Sequence, residues 1–443
     1  MGVTLGRSAT WGAQSRDCGP DDSRADGSPR PNGQPQGEHD RPPAPRFGVA
    51  LFDNARDMSV GWACRHGDEP FRFGSVNELS NDTIWVTSLD WDEYRLRAQK
   101  LSHLRRYDYL RSSLSQIAAD LGWRLQGRYA AECSRGLAQV LHQAMQISMA
   151  LYGMDDPGSD LREDVLSEDL RRMLAPAPKA QQHLRSQLLS AFQAYSSPDW
   201  PPHYEDNTIT LSLRFNRLEY AQKILSSPVP DDGWVFIGPE QAGTLSLDAL
   251  LDPERPSLVE GVLDLGDVAP DSAALLAFGA QIQRRNGLRK WISQPEMLWL
   301  TRHAKVRVSS ALVASSARQL PAAARLPAKM TGDPLFSLSY SAGLVAEAHW
   351  SALTQPAYNR GTRKNEVSSW GVWLRAVDRA LSFGLAQRAH EAGMRVVGYG
   401  NGAVVVRFER GKLPQCLSFA MENGVAYPAF RPLFLEHGIE VME

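Results

Sequence analysis

The sequence predicts an α+β fold, on three observations. These are a long amphipathic helix running into a tight strand–turn–strand unit near the C-terminus, short alternating strands after residue 201, and helical apolar spacing over much of the stretch before it. The helix opens at Ser368 or Ser369 and carries Trp373, Leu374, Val377, Leu381, Leu385 and Ala389 at intervals of three or four. That spacing specifies one amphipathic helix of about five turns. Gly393 ends it. Met394–Val397 and Ala403–Phe408 then flank Gly398-Tyr399-Gly400-Asn401-Gly402, whose Asn-Gly pair tolerates positive φ and predicts an antiparallel hairpin.

Taken in order, the chain begins with residues 1–45, rich in Gly, Pro, Ser, Asp and Arg and almost without aliphatic side chains after Leu5. Such a segment buries too little surface to offset its ordering entropy, so a disordered arm is expected. Phe47–Phe52 and Met58–Cys64 read as two strands around the turn Asp53–Asp57, an entry hairpin. Thr83–Leu89 is a third strand. Asp90-Trp91-Asp92-Glu93 places carboxylates at the positive end of a helix, and apolar spacing continues from Leu96 to Leu121 as one helical stripe. Ala130–Leu151 is a second long helix. Residues 46–200 are therefore expected to be mainly helical after the hairpin. The rigid run Ser197-Pro198-Asp199-Trp200-Pro201-Pro202 marks a domain boundary.

Residues 201–443 are expected to be a mixed α+β region. Thr208–Phe215 alternates apolar and polar side chains, Trp234–Ile237 is a short apolar run, and Leu258–Leu265 adds another strand. Ser272–Gln283 predicts a helix and Lys305–Ser309 a short strand. Ser310–Met330 reads as a surface loop, and Leu344–Trp350 as strand or short helix.

Composition limits the function classes. With 48 basic and 50 acidic side chains there is no global field to attract a polyanion or an anionic membrane. Four scattered cysteines form no CxxC or Cys/His cluster, which argues against the usual zinc spacings and against a disulfide scaffold. No apolar run of spanning length and no N-terminal apolar leader is present, so a cytoplasmic or otherwise intracellular setting is expected, without membrane.

Few motifs carry chemistry. Asp53 and Asp57 beside the first strand stand where a metal-dependent nuclease of the RNase H type carries an aspartate. Turn chemistry accounts for them equally well, because short polar side chains satisfy their own backbone, and is the favoured reading. The GxGxG run at residues 398–402 precedes a strand and not a helix, which does not suit dinucleotide binding. There is no P-loop, nucleophile elbow or HExxH. Arg395–Val405 with its preceding helix resembles in outline the palm of template-directed polymerases, whose hairpin tip holds metal-binding aspartates. Here the tip carries Asn401 and Gly402 and no carboxylate, and two-metal phosphoryl transfer needs acidic oxygens. Neither metal nor cofactor is expected.

Two basic clusters, at 105–111 and 284–290, offer Arg105, Arg106, Arg284, Arg285, Arg289 and Lys290 to a nucleic-acid backbone. Twelve tryptophans, with Trp85, Trp91, Trp200 and Trp234 at element edges, suit subunit contacts instead. The leading expectation is a non-enzymatic, self-associating structural subunit such as a capsid or shell protein, located in the virion. The alternative is a nucleic-acid-binding or nucleic-acid-processing protein using the two clusters. A hydrolase or transferase whose site gathers residues distant in sequence stands third.

Overall fold

The computed structural model describes residues 46–105, 113–123, 125–152, 184, 187–188, 191, 207–231, 233–264, 288–332, 336, 339–355, 357–359 and 364–425. The fold is α+β. The expected arm, the 197–202 connection and the Ser272–Gln283 helix lie outside these residues.

Strands β1 (Arg46–Phe52), β2 (Gly61–Arg65), β3 (Phe71–Phe73), β4 (Thr83–Thr87) and β5 (Leu104–Arg105) form one mixed sheet in the order β3-β2-β1-β4-β5. β2 runs antiparallel to β1, whereas β4 runs parallel to β1 and β5 parallel to β4. Both faces of β1 are covered, which is why it reads as a nearly continuous apolar run. Val49 and Leu51 enter the core with Leu137 and Leu141, while Ala50 and Phe52 pack with Phe73, Trp85 and Leu104 on the other face. Helix α1 (Trp91–Leu96) is capped by Asp90, whose carboxylate accepts from Glu93 N, and α2 (Leu114–Asp120) by Ser113. Helix α3 (Ala130–Tyr152) lies against β1 and β2.

The single helical stripe expected from Leu96 to Leu121 is interrupted. After α1 the chain returns to the sheet, where Leu104 is fully buried on β5 beside Trp85. A buried edge strand and an amphipathic helix place apolar residues at overlapping spacings over so few positions, and packing decides between them.

The second part begins with β6 (Thr208–Arg214) and α4 (Arg217–Ser226), the latter capped by Asn216, whose Oδ1 accepts from Leu218 N and Glu219 N. Then come β7 (Val229–Pro230), β8 (Trp234–Ile237), β9 (Ser257–Asp264), β10 (Leu288–Ser293), α5 (Gln294–Leu300), β11 (Lys305–Ala314) and β12 (Ala317–Arg318). A four-stranded antiparallel sheet has the order β10-β9-β11-β8, and β7 pairs β12. The first five residues of the loop expected over Ser310–Met330 are instead the second half of β11. Ser310, Ala311 and Ala314 are small and buried against β9 and β8, so what resembles a loop composition is a close strand approach.

Helix α6 (Tyr340–Leu353) is buried on nearly all sides, and β13 (Ala357–Asn359) pairs β14 (Lys364–Glu366). Helix α7 (Ser369–Glu391) starts where the spacing places it, with Ser368 Oγ accepting from Gly371 N at 2.9 Å. Strands β15 (Arg395–Gly400) and β16 (Ala403–Glu409) form the hairpin, and helix α8 (Leu413–Glu422) follows. Asn401 and Gly402, at φ 54° and 68°, are both left-handed, as a tight hairpin turn of this twist requires. β6 pairs antiparallel with β16, completing the sheet β15-β16-β6. One core joins α3 to α4, α6 and α7 through Leu137, Leu141, Ile224, Leu344 and Leu374. Among the described residues no helix is long and apolar enough to cross a membrane.

Candidate functional site

The third strand of the hairpin sheet delivers a cation to the turn. Arg214, the last residue of β6, stands opposite Ala403, and Phe215 N donates to Gly402 O at 3.0 Å. Arg214 Nη1 donates to Asn401 O at 3.1 Å. Two residues later the Asn216 cap starts α4, which sets Arg217 on its first turn, turned towards α6. There Arg217 Nε pairs with Glu347, while Nη1 lies 2.6 Å from Asp120 Oδ2 and 3.0 Å from Tyr340 Oη. Glu347 Oε1 also lies 3.5 Å from Arg214 Nη1.

Two guanidiniums and two carboxylates thus share a site that leaves each side chain 10% exposed or less. Buried charges persist only when compensated, and here the count balances. Burial pushes the Asp120 carboxyl up, but Arg217, Arg214 and the hydrogen bonds from Arg217 and Gln116 outweigh it and hold Asp120 below its ordinary value. Tyr340 donates to Asp120 Oδ2 at 2.8 Å, and burial lifts its phenol well above the usual range.

On the opposite side of the turn, Asp378 of α7 is 2% exposed. Its carboxylate accepts from Asn401 N at 2.8 Å, Gly402 N at 3.0 Å and Tyr220 Oη at 2.8 Å. The tip is therefore held from behind by an acid whose oxygens are already occupied. Tyr220 also meets Ser382 Oγ at 2.9 Å, and burial, reinforced by Asp378, raises its phenol well above the usual value. Arg375 donates to Asn401 Oδ1 and lies over the Trp350 ring at 4.9 Å. Between Arg214, Arg217, Tyr220, Glu347, Trp350 and Asn401 is a pocket of about 10 Å³, room for one water-sized group. Arg214 Nε is buried and, among the described residues, has no hydrogen-bond partner.

The hairpin resembles a polymerase palm in outline and differs from it in charge. Where such a tip holds divalent ions on aspartates, this one has Asn401, Gly402 and the guanidinium of Arg214. The nearby acids, Asp120, Glu347 and Asp378, all face arginine, tyrosine or amide donors. Among the described residues no three His, Cys, Asp or Glu side chains gather as a metal site.

Of the basic residues singled out by sequence, Arg105 is exposed on β5, with Nη1 donating to Leu104 O at 3.2 Å. Arg289 and Lys290 lie on β10, opposite Val262 and Gly261. Among the described residues both strands are edges, in two different sheets. Arg106, Arg284 and Arg285 lie outside the described residues. Asp53 and Asp57 follow the turn reading: Arg72 takes both oxygens of Asp53, and Ser59 N and Oγ donate to Asp57 at 3.1 and 2.8 Å. The sequence reading missed Asp120, Arg214, Arg217, Glu347 and Asp378. The available signal was a charge inside an apolar segment, as with Glu347 in Tyr340–Leu353 and Asp378 in the long helix, because such charges are buried only with partners.

No protein-family model matches the chain, and no curated protein matches it in sequence. Among solved structures it is similar to Phi29 DNA polymerase. For the enzyme complexed with primer-template DNA in a post-translocation binary complex, identity is 11%, TM-score 0.43 and coverage 82% of this chain and 80% of that chain. For the complex with single-stranded DNA, identity is 12%, TM-score 0.44 and coverage the same.

The expectation of a capsid or shell subunit is corrected. The solved structures found to be similar are those of a DNA polymerase. Of the tryptophans that suggested subunit contacts, Trp85 is core and Trp234 is partly buried, while Trp200 and the side chain of Trp91 lie outside the described residues. Trp85 is 1% exposed with Nε1 donating to Ser80 O at 2.9 Å, and Trp350 and Trp370 are also fully buried. Trp234 packs against a core cluster. An indole at an element's end is amphipathic enough to suit an interface, and here those of Trp85 and Trp234 close the protein's own core.

Proposed function

We propose that this protein binds nucleic acid through the phosphate backbone and carries out no phosphoryl transfer at its hairpin. The observation that carries the reading is Arg214 at the hairpin tip, with its guanidinium against Asn401 O and every neighbouring carboxylate engaged by internal donors. A cation at that position favours phosphate oxygens, while acids already bound are unavailable to hold metal ions for in-line displacement. Arg105, Arg106, Arg284, Arg285, Arg289 and Lys290 serve in this reading as outer backbone contacts, positioning a strand without reading its sequence. Arg105, Arg289 and Lys290 belong to strands that, among the described residues, stand at the edges of their sheets.

The test is equilibrium binding of labelled DNA and RNA oligonucleotides over a salt series. Affinity should fall linearly on a log–log plot, with a slope of about −0.7 per phosphate neutralised for a single strand and about −0.9 for a duplex. Replacing Arg289 and Lys290 together by alanine should make the slope shallower by about one for each phosphate left without its cation, equally across sequences. Nucleotide incorporation by the protein with Mg²⁺ or Mn²⁺ would overturn the non-catalytic part of the reading.

A further inference from the structure

We propose, resting on the reading above, that the hairpin tip is a phosphate subsite in which Arg214 and Asn401 hold one phosphodiester of the bound strand. Three observations meet there. Arg214 is nine-tenths buried and lines the pocket, yet its Nε has no hydrogen-bond partner among the described residues, with Asp120 Oδ2 3.9 Å away. A buried, unmet guanidinium donor costs free energy unless a ligand or a water meets it. Second, the pocket admits one water-sized group, the size of a single phosphate oxygen.

Third, the rim carries further donors. Asn401 is exposed, and its Oδ1 accepts from Arg375, which leaves its Nδ2 as the donor of that amide. The Arg375 guanidinium adds a second positive charge at the rim, stacked on Trp350. Glu347 also lines the pocket, but its oxygens face Arg217 and Arg214, so its charge is already balanced. Charge-assisted bonds from a planar guanidinium and an amide match the oxygens of a phosphodiester. One oxygen enters the pocket while the strand itself stays outside, which accords with the pocket's small size.

The experiment is fluorescence anisotropy of a labelled single-stranded oligothymidylate titrated with the full-length protein at about 50 to 200 mM KCl, with EDTA to remove divalent ions. Arg214→Gln should raise Kd and make the log–log salt slope shallower by about 0.7, one single-strand phosphate. Because Arg214 belongs to a buried charge cluster, a second variant avoids the question of folding. Asn401→Asp changes an exposed residue at φ 54°, a conformation that aspartate tolerates. It sets a carboxylate at the rim and should weaken binding about tenfold, by like-charge repulsion, with the melting temperature unchanged. Wild-type binding that neither variant alters means that the pocket holds only a structural water; the subsite is then overturned and the nucleic-acid reading stands. Absence of any wild-type binding overturns both.

Discussion

Arg217 Nη1 and Asp120 Oδ2 lie 2.6 Å apart with their side chains 3% and 7% exposed, which ties the helix leading away from the hairpin sheet to a helix packed beside the first sheet. Removing one member of a buried pair strands the other without solvent, at a cost of about 3–5 kcal/mol. Asp120→Ala should therefore lower the urea midpoint strongly. Leucine replacing both Asp120 and Arg217 should recover part of that loss, since apolar replacement of a whole pair is far less costly. Urea unfolding of the single and double variants decides it.

The same carboxylate sets an acid limit. Asp120 is more acidic folded than unfolded, so its contribution is complete above the unfolded value of about 3.9 and fades as pH falls further, through the folded value. Stability of the wild type should decline below about pH 4, and Asp120→Asn, already weaker at neutral pH, should lack that portion of the decline.

His349 is likewise favoured in its deprotonated form by the fold, there as the neutral ring where Asp120 is the charged carboxylate. It is 1% exposed; Nε2 is 3.1 Å from Ala324 O and Nδ1 2.9 Å from Tyr152 Oη, so the neutral ring donates from Nε2 and accepts at Nδ1. Burial pushes its pKa down from 6.5 to about 4. Between those values the unfolded chain takes up a proton that the folded chain refuses, so stability is full above about pH 6.5 and is lost on acidification towards pH 4, by on the order of 3 kcal/mol. His349→Gln should flatten that part of a stability–pH curve measured by denaturant unfolding.

Much of the fold was legible because local chemistry and tertiary packing agree there. The α7–β15–β16 unit has a serine cap, a three-to-four apolar spacing and an Asn-Gly turn, all pointing to one structure. The strip from Leu96 to Leu121 was not legible, because β5 is too short for its period to show and Leu104 is placed by Trp85 rather than by its neighbours in sequence. The site was the least legible part. Asp120, Arg214, Glu347 and Asp378 come from separate segments, and pairwise neutralisation leaves no trace in a one-dimensional charge pattern.

Asp378 fixes the turn more than it fixes the helix that carries it. It accepts from two consecutive turn amides and from Tyr220. Asp378→Ala should leave those donors unmet, at about 1–3 kcal/mol each where buried. The local signature is faster hydrogen exchange at Asn401 and Gly402, beyond any change at the centre of α7. If the two amides keep their protection in the variant, the turn is held by its own backbone and Asp378 acts only on packing.

Gly48 tests the packing of the first sheet. It lies on β1 opposite Trp85 of β4, and a Cβ there would fall 2.6 Å from Trp85 Cε3 and 3.1 Å from the Cys64 carbonyl oxygen. β1 is central in the sheet and covered on both faces, so neither the strand nor the indole has free space to yield into. Gly48→Ala should cost about 1–3 kcal/mol as overpacking. Trp85→Leu alone should also destabilise, through the cavity it leaves. Combined, the two should cost less than their sum, since the smaller side chain makes room for the added methyl, with a coupling of about 0.5–3 kcal/mol. Urea midpoints of the wild type, both single variants and the double variant measure that coupling. Strict additivity would mean that the strand shifts to accommodate the methyl and that the indole does not determine the glycine.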